Sequence, residues 1–171
     1  MLVKILNILI SIVGIKKLMK KYIISSETLL ENGKKITILT LDGKALLKDG
    51  ATNYHLAGGL CATVGSTVIV LDCVKPNTTA NDFGFFLNHE VGHLVLGHVD
   101  KAVKAGKGGT ILNIEDEVAA DNYARNKGFS NPDFNRLLTG VYGELASVGF
   151  ISADDIPGYV EATLKDHESR M

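Results

Sequence analysis

The sequence of 171 residues has only two cysteines and three prolines, and its net charge is −1. Cys61 and Cys73 cannot form a disulfide framework for a domain of this size, which favours a reducing, cytoplasmic compartment. The near-neutral charge gives no electrostatic reason to expect a nucleic-acid partner. With 46% apolar and 22% charged residues, the composition excludes a wholly disordered chain and indicates one globular domain.

Acidic residues are absent from the first 26 positions, where five lysines give a local charge of +5. The apolar run from Ile5 to Ile15 is eleven residues long, against the roughly 20 needed to span a bilayer. The segment also lacks the features of a cleaved signal peptide. Its polar residues recur at three- and four-residue steps, which predicts a basic amphipathic helix over residues 1–21. We favour a helix packed on the domain. A helix in peripheral contact with a membrane is the main alternative, and a removable or partner-binding arm is the third.

The order of secondary structure predicts an α+β domain for residues 22–171. Residues 34–41 and 66–72 are rich in β-branched side chains between turn residues and are predicted strands. The segment between them is expected to add one or two strands. Four helices are predicted further on: from Asn81 or Asp82 to about Val99, from Asn113 to Gly128, after Asn131-Pro132, and from near Asp154. Strands followed by helices are typical of a small α+β fold.

The stretch LNHEVGHLVLGH, residues 87–98, contains three histidines. On a helix, residues four apart differ by only ~40° about the axis, so His89 and His93 project side by side and can share one tetrahedral Zn²⁺. Glu90 lies on the adjoining face and can reach a water on that metal, which is the HExxH arrangement of zinc peptidases. His98 is ~180° from His89 on a continuous helix. We therefore expect His98 to point away from the site and to meet the carbonyls at the helix C-terminus.

A catalytic zinc usually takes three protein ligands and leaves the fourth position for water. The acidic stretch EDEVAAD of the next predicted helix offers Glu115, Asp116, Glu117 and Asp121. We favour Glu117 as the third ligand, because Asp121 follows one helical turn later and can hydrogen-bond the far nitrogen of a ligating histidine. Gly92 on the first helix, and Ala119 and Ala120 on the second, would allow the two helices to pack closely.

The pattern HEVGH, with EVAAD beginning 24 positions after its second histidine, resembles the gluzincin class of zinc metallopeptidases. The fuller pattern HEVGHLVLGH … EDEVAADNYA is similar to the ImmA/IrrE-type intracellular metallopeptidases. The similarity extends over residues 66–125. It implies a zincin-like fold in which an edge strand, here 66–72, lies over the cleft and can pair with an extended peptide. The matching positions are His89, His93 and Glu117 as zinc ligands, Glu90 as general base and Asp121 as the partner of a ligating histidine.

This resemblance implies hydrolysis of a protein or peptide substrate by a zinc-bound water, from which Glu90 takes a proton that it later delivers to the leaving amine. The oxyanion formed on the way usually needs a further donor. The candidates are Tyr142, Tyr123 and Tyr159, with less support for His55 and His167, and the sequence does not choose among them.

Two other functions stay open. A deformylase-type amidase pairs HExxH with an upstream cysteine ligand, although neither Cys61 nor Cys73 lies in the matching sequence context. A structural or binding protein could instead keep a metal site for stability, without turnover. The simplest alternative for the HExxH motif is a core helix that contains histidines and binds no metal.

Overall fold

The computed structural model describes residues 20–48, 61–64, 66–72, 78–105, 114–147 and 151–168. The helix predicted over residues 1–21 falls almost entirely outside the described residues, and so do His55 and Cys73. The described part of the chain is an α+β domain, as predicted. Within these ranges, no helix combines the length and the apolar character needed to cross a membrane.

The described strands form one sheet: β1 (Ile23–Glu31), β2 (Lys34–Leu41), β3 (Cys61–Val64) and β4 (Thr67–Leu71). Their order is β1-β2-β4-β3; β2 and β4 are parallel, and the other neighbours are antiparallel. The hairpin between β1 and β2 turns at Asn32 and Gly33, whose φ angles are 48° and 76°. Two successive left-handed residues give a turn that matches the twist of the flanking strands, which is why Asn-Gly favours it.

The described helices are α1 (Gly43–Lys48), α2 (Ala80–Val95), α3 (His98–Lys104), α4 (Ile114–Asn126), α5 (Phe134–Ser147), the 3-10 helix Ala153–Asp155 and α6 (Ile156–Glu168). The first of these, α1, lies in the segment that was expected to add one or two strands, and β3 is the described strand of that segment. Pro157 lies in the first turn of α6, where its missing N–H breaks no helical hydrogen bond.

The N-terminus of α2 is capped by Thr79, so the expectation of a cap at Asn81 or Asp82 is wrong. The Thr79 hydroxyl accepts a hydrogen bond from the Asp82 N–H at 3.1 Å, and the Asp82 carboxylate accepts one from the Thr79 N–H at 3.2 Å. This reciprocal pair is a capping box, and it satisfies two backbone donors that the first turn of a helix leaves open. Asp82 therefore acts as the third residue of the helix.

The C-terminus of α2 is at Val95, four residues before the predicted end. Gly97 has a φ of 78°, a left-handed conformation that ends a helix and that glycine adopts without strain. The chain changes direction there, and His98 begins α3. Lys34 of β2 donates to the Leu94 carbonyl at 2.8 Å, which ties this end of α2 to the sheet.

An apolar cluster of the described residues lies between α2 and the sheet. It contains Val91 and Leu94 of α2, Ile36, Val68 and Val70 of the sheet, and Val99 of α3. Complete burial of one such aliphatic side chain stabilises the fold by roughly 1.5–3 kcal/mol. The cluster therefore determines how α2 is rotated about its axis, and with it the direction of the polar side chains on the remainder of the helix.

The expectation that residues 66–72 form the edge strand over the cleft is wrong. β4 lies inside the sheet, between β2 and β3, and Val68 and Val70 are 0% exposed. A β-branched run with both faces covered is typical of an interior strand. Among the described strands, β3 is the outer strand on this side of the sheet, and it packs against α2.

Candidate metal centre

The site lies where α2 and α4 approach each other closely. A Cβ atom at Gly92 of α2 would be 3.1 Å from Cβ of Tyr123 and 3.3 Å from Cα of Ala120, both on α4. Ala120 itself is completely buried. Small residues on both helices thus allow the backbones to come together, and the polar side chains beside Gly92 meet those of α4.

His89, His93 and Glu117 come together across this contact. The Nε2 atoms of His89 and His93 are 3.0 Å apart. The Glu117 carboxylate lies 3.4 Å from Nε2 of His89 through Oε2 and 3.3 Å from Nε2 of His93 through Oε1. All three side chains are largely buried. Two helices therefore direct three potential ligand atoms toward a single point.

The spacing of these donor atoms fits a tetrahedral metal. Ligands that lie about 2.0–2.1 Å from a tetrahedral zinc ion are about 3.3–3.4 Å from one another. The two Nε2 atoms are 3.0 Å apart, and the two oxygens of Glu117 lie 3.4 and 3.3 Å from them, one oxygen from each nitrogen. Two imidazole nitrogens and one carboxylate oxygen are also a donor set that zinc prefers. The residues present therefore fit one metal ion of this kind.

Hydrogen bonds within the cluster shift the pKa values of Glu117 and His89. Burial works to raise the pKa of Glu117, but hydrogen bonds from His89 and His93 outweigh it and hold that pKa well below its usual range. Burial works to lower the pKa of His89, but hydrogen bonds with Asp121 and Glu117 raise it to about 10. The buried carboxylate is therefore negative, and it attracts positive charge to the point where the three donors meet.

Asp121 contacts the other nitrogen of His89. Its Oδ1 is 2.8 Å from Nδ1 of His89, so the Nδ1–H of the imidazole donates to the carboxylate and Nε2 is left facing Glu117. Arg125, one turn further along α4, lies 3.7 Å from the other oxygen of Asp121. The structure thus places the Asp121 carboxylate against the nitrogen of His89 that does not face Glu117.

His98 does not point away from the site, and the expectation that it meets the C-terminal carbonyls of the first helix is wrong. Its Nδ1 lies 2.9 Å from Nδ1 of His93, and the residue is buried. The angular prediction assumed a continuous helix, whereas Gly97 ends α2 and turns the chain back. Burial and the neighbouring His93 lower the pKa of His98. A glycine directly before the third histidine was the signal in the sequence that could have indicated this contact.

Asp116 connects His98 to the surface. Its Oδ1 is 3.7 Å from Nε2 of His98, and Lys101 of α3 donates to both carboxylate oxygens, at 3.0 and 3.2 Å. Among the four acids of EDEVAAD, Glu117 contacts both motif histidines, Asp121 contacts His89 and Asp116 contacts His98. From the sequence, Asp116 was only a candidate metal ligand, and its contact with His98 was not predicted.

Glu90 is half-buried on α2, next to His89 in sequence. Its charge acts on the imidazole of His89 and contributes to the raised pKa of that residue. Glu90 is not one of the three residues that could hold a metal ion.

Tyr142 is buried on α5 and stacks on Tyr159 of α6, with ring centroids 5.5 Å apart. That contact belongs to the packing of the two C-terminal helices. Tyr123 lies behind Gly92 on α4, where burial and Glu31 raise its pKa. The role of Tyr142 as an oxyanion donor stays a prediction.

The fold and the cluster together define a class: an α+β domain in which two helices meet around three residues that could hold one metal ion. A family model described as Peptidase U49 matches residues 78–158, slightly less than half of the chain. The matched segment begins just before the cap of α2, contains the whole cluster and supports a peptidase function. No curated protein and no solved structure shows a significant match to this chain.

Proposed function

We propose that this protein is a zinc-dependent metallopeptidase of the gluzincin type. His89, His93 and Glu117 would hold one zinc ion, and Glu90 would act as general base. The proposal is supported by three buried donor side chains from α2 and α4 that come within 3.0–3.4 Å of one another, inside a segment that matches a peptidase family.

Each residue of the site has a separate role in the proposed hydrolysis of an amide bond. A bound zinc ion would lower the pKa of water and polarise the scissile carbonyl. Glu90 accepts a proton from the attacking water and returns it to the leaving amine, and its position beside His89 suits both transfers. Asp121 keeps His89 in the tautomer that presents Nε2. Tyr142 remains our candidate donor to the oxyanion.

The proposed substrate is a protein or peptide in an extended conformation. Among the described strands, β3 has one side paired with β4 and lies against α2. A peptide could add to the other side of β3 through main-chain hydrogen bonds and would then run past the helix that carries His89 and Glu90. The edge strand in this proposal is β3 rather than residues 66–72.

The decisive variant is Glu90→Gln, which keeps the shape of the side chain and removes its basicity. General-base catalysis contributes about 10²–10⁴-fold to rates, so we expect at least a 100-fold loss of activity toward a mixture of fluorescence-quenched peptides. The zinc content should stay at that of the wild type. Glu115→Gln, the same change at an exposed position of α4, should retain activity.

Other outcomes favour the remaining functions. A wild-type protein that binds zinc and cleaves no peptide would support a metal site kept for stability alone. Cleavage of formylated peptides only at the formyl group would support the amidase. A Glu90→Gln protein that cleaves peptides as fast as the wild type would contradict the role of Glu90.

A further inference from the structure

His98 is the one histidine of the LNHEVGHLVLGH stretch that the proposed function leaves without a role. It is the first residue of α3, it is buried, and its ring meets that of His93 edge to face with centroids 5.1 Å apart. A buried imidazole needs hydrogen-bond partners for both nitrogens, since burial without them is costly. Nδ1 of His98 finds its partner in Nδ1 of His93, at 2.9 Å.

Two ring nitrogens at this distance share one hydrogen, so one of them donates and the other accepts. Nε2 of His93 faces His89 and Glu117. If Nε2 presents its lone pair to a metal, a neutral His93 must carry its hydrogen on Nδ1. His93 is then the donor, and His98 must accept at Nδ1 and carry its own hydrogen on Nε2.

The other end of His98 agrees with this tautomer. The Nε2 atom that would carry the hydrogen faces the carboxylate of Asp116 at 3.7 Å. Lys101 holds that carboxylate with hydrogen bonds to both oxygens. Because Lys101 belongs to α3 and Asp116 to α4, the contact also fixes α3 against the helix that supplies Glu117.

We propose that His98 is a positioning residue of the metal centre: it accepts the Nδ1–H of His93, and the negative charge of Asp116 near Nε2 favours the tautomer that can do so. His98 is thus to His93 what Asp121 is to His89: a hydrogen-bond acceptor for Nδ1–H. Unlike Asp121, it is neutral in this role. The inference rests on the proposed metal site of His89, His93 and Glu117. Outer partners of metal-ligating histidines contribute about 10–100-fold to metal affinity.

The test compares zinc affinities of the full-length chain, measured by competition with a chromophoric chelator. His98→Phe keeps a planar apolar ring and removes the acceptor, so zinc binding should weaken about 10–100-fold. His98→Asn places an amide oxygen close to the position of Nδ1 and should recover most of that loss. A role in packing alone predicts the reverse order, since Phe fills the space better than Asn. The absorption bands of the Co²⁺-substituted protein should change in His98→Phe and be preserved in His98→Asn.

The tautomers provide a second readout that does not depend on the fold of a variant. In zinc-loaded wild type, nitrogen-detected histidine spectra should show His93 protonated at Nδ1 and His98 protonated at Nε2. Asp116→Asn should weaken zinc binding less than His98→Phe does. Asp100→Asn, the same charge change at an exposed position of α3, should have no effect.

The outcomes separate this inference from the function on which it rests. Wild-type protein that binds no zinc would overturn the metal site and this inference with it. Wild-type protein that binds zinc, together with a His98→Phe variant of equal affinity, would overturn the positioning role alone. A hydrogen on Nδ1 of His98 in the zinc-loaded protein would also overturn it, whether or not the variants fold.

Discussion

Each histidine of the cluster is held by a contact on the side away from the donors. Asp121 holds the ring of His89 and His98 holds that of His93, while the Glu117 carboxylate contacts both Nε2 atoms. Side chains that are already fixed in the folded protein lose less conformational entropy when they bind a ligand. The three side chains that could hold a metal ion are therefore held in place by their neighbours.

Glu117→Ala tests the third ligand. The variant loses one of three protein ligands and the only negative charge among them, so its zinc affinity should fall by more than the roughly 10–100-fold typical of outer partners. Competition with a chromophoric chelator measures the change. Glu115→Ala, two residues earlier and exposed, should bind zinc as tightly as the wild type. Unchanged affinity of Glu117→Ala would contradict the assignment.

At the scale of elements, the site depends on how closely α2 and α4 can pack. Gly92 leaves no room for a larger side chain, because the position of its missing Cβ is 3.3 Å from the backbone of α4 at Ala120. Backbone atoms of a packed helix cannot move aside as the end of a flexible side chain can. The separation of the histidines from Glu117 is therefore set at this contact.

Gly92→Ala and Gly143→Ala form a matched pair that tests the contact. Both glycines are within helices, where alanine is intrinsically better by about 1 kcal/mol. Gly143 has nothing within 4 Å of the added Cβ, so Gly143→Ala should be neutral or stabilising. Overpacking in a tight contact costs about 1–3 kcal/mol, so Gly92→Ala should unfold at lower denaturant and bind zinc more weakly. Equal stability of the two variants would contradict the tight approach.

The sequence predicted the two site helices better than the sheet or the helix ends. The i, i+4 spacing of His89 and His93 is a local property, as is that of Glu117 and Asp121, and helix geometry converts both into shared faces. Whether a strand lies at an edge depends on a partner far away in the chain, which the β-branched composition of residues 66–72 does not specify. His98 was misplaced for a related reason, since one left-handed glycine changed the direction of the chain.

At the scale of the whole molecule, Asp82 links α2 to the C-terminal helices. It is 3% exposed, and Arg136 of α5 donates to its carboxylate. Phe86 of α2 also packs edge to face on Phe134 of α5, at 5.7 Å between centroids. Burial works to raise the pKa of Asp82, but hydrogen bonds from Arg136 and Thr79 outweigh it and hold the pKa below its ordinary value of 3.8.

This lowered pKa predicts how stability depends on pH. A carboxyl whose folded-state pKa is depressed stabilises the fold above its ordinary pKa, and that contribution is lost as the pH falls below this value. Asp82→Asn should therefore lower the free energy of unfolding of the metal-free protein by about 1–3 kcal/mol at pH 7, and the difference should shrink below about pH 4.

Urea unfolding at several pH values, with a chelator present, measures this effect. Asp155→Asn makes the same change at an exposed position and should alter the free energy of unfolding by no more than about 0.5 kcal/mol. A difference between wild type and Asp82→Asn that stays constant down to pH 3 would contradict the account of this link.

The most direct test of the metal centre is an anomalous difference map at the zinc absorption edge, from crystals of the zinc-loaded protein. We expect one peak about 2.0–2.1 Å from Nε2 of His89, from Nε2 of His93 and from a carboxylate oxygen of Glu117. Zinc-loaded crystals with no peak between α2 and α4, or with a peak bound by other residues, would contradict the metal site proposed here.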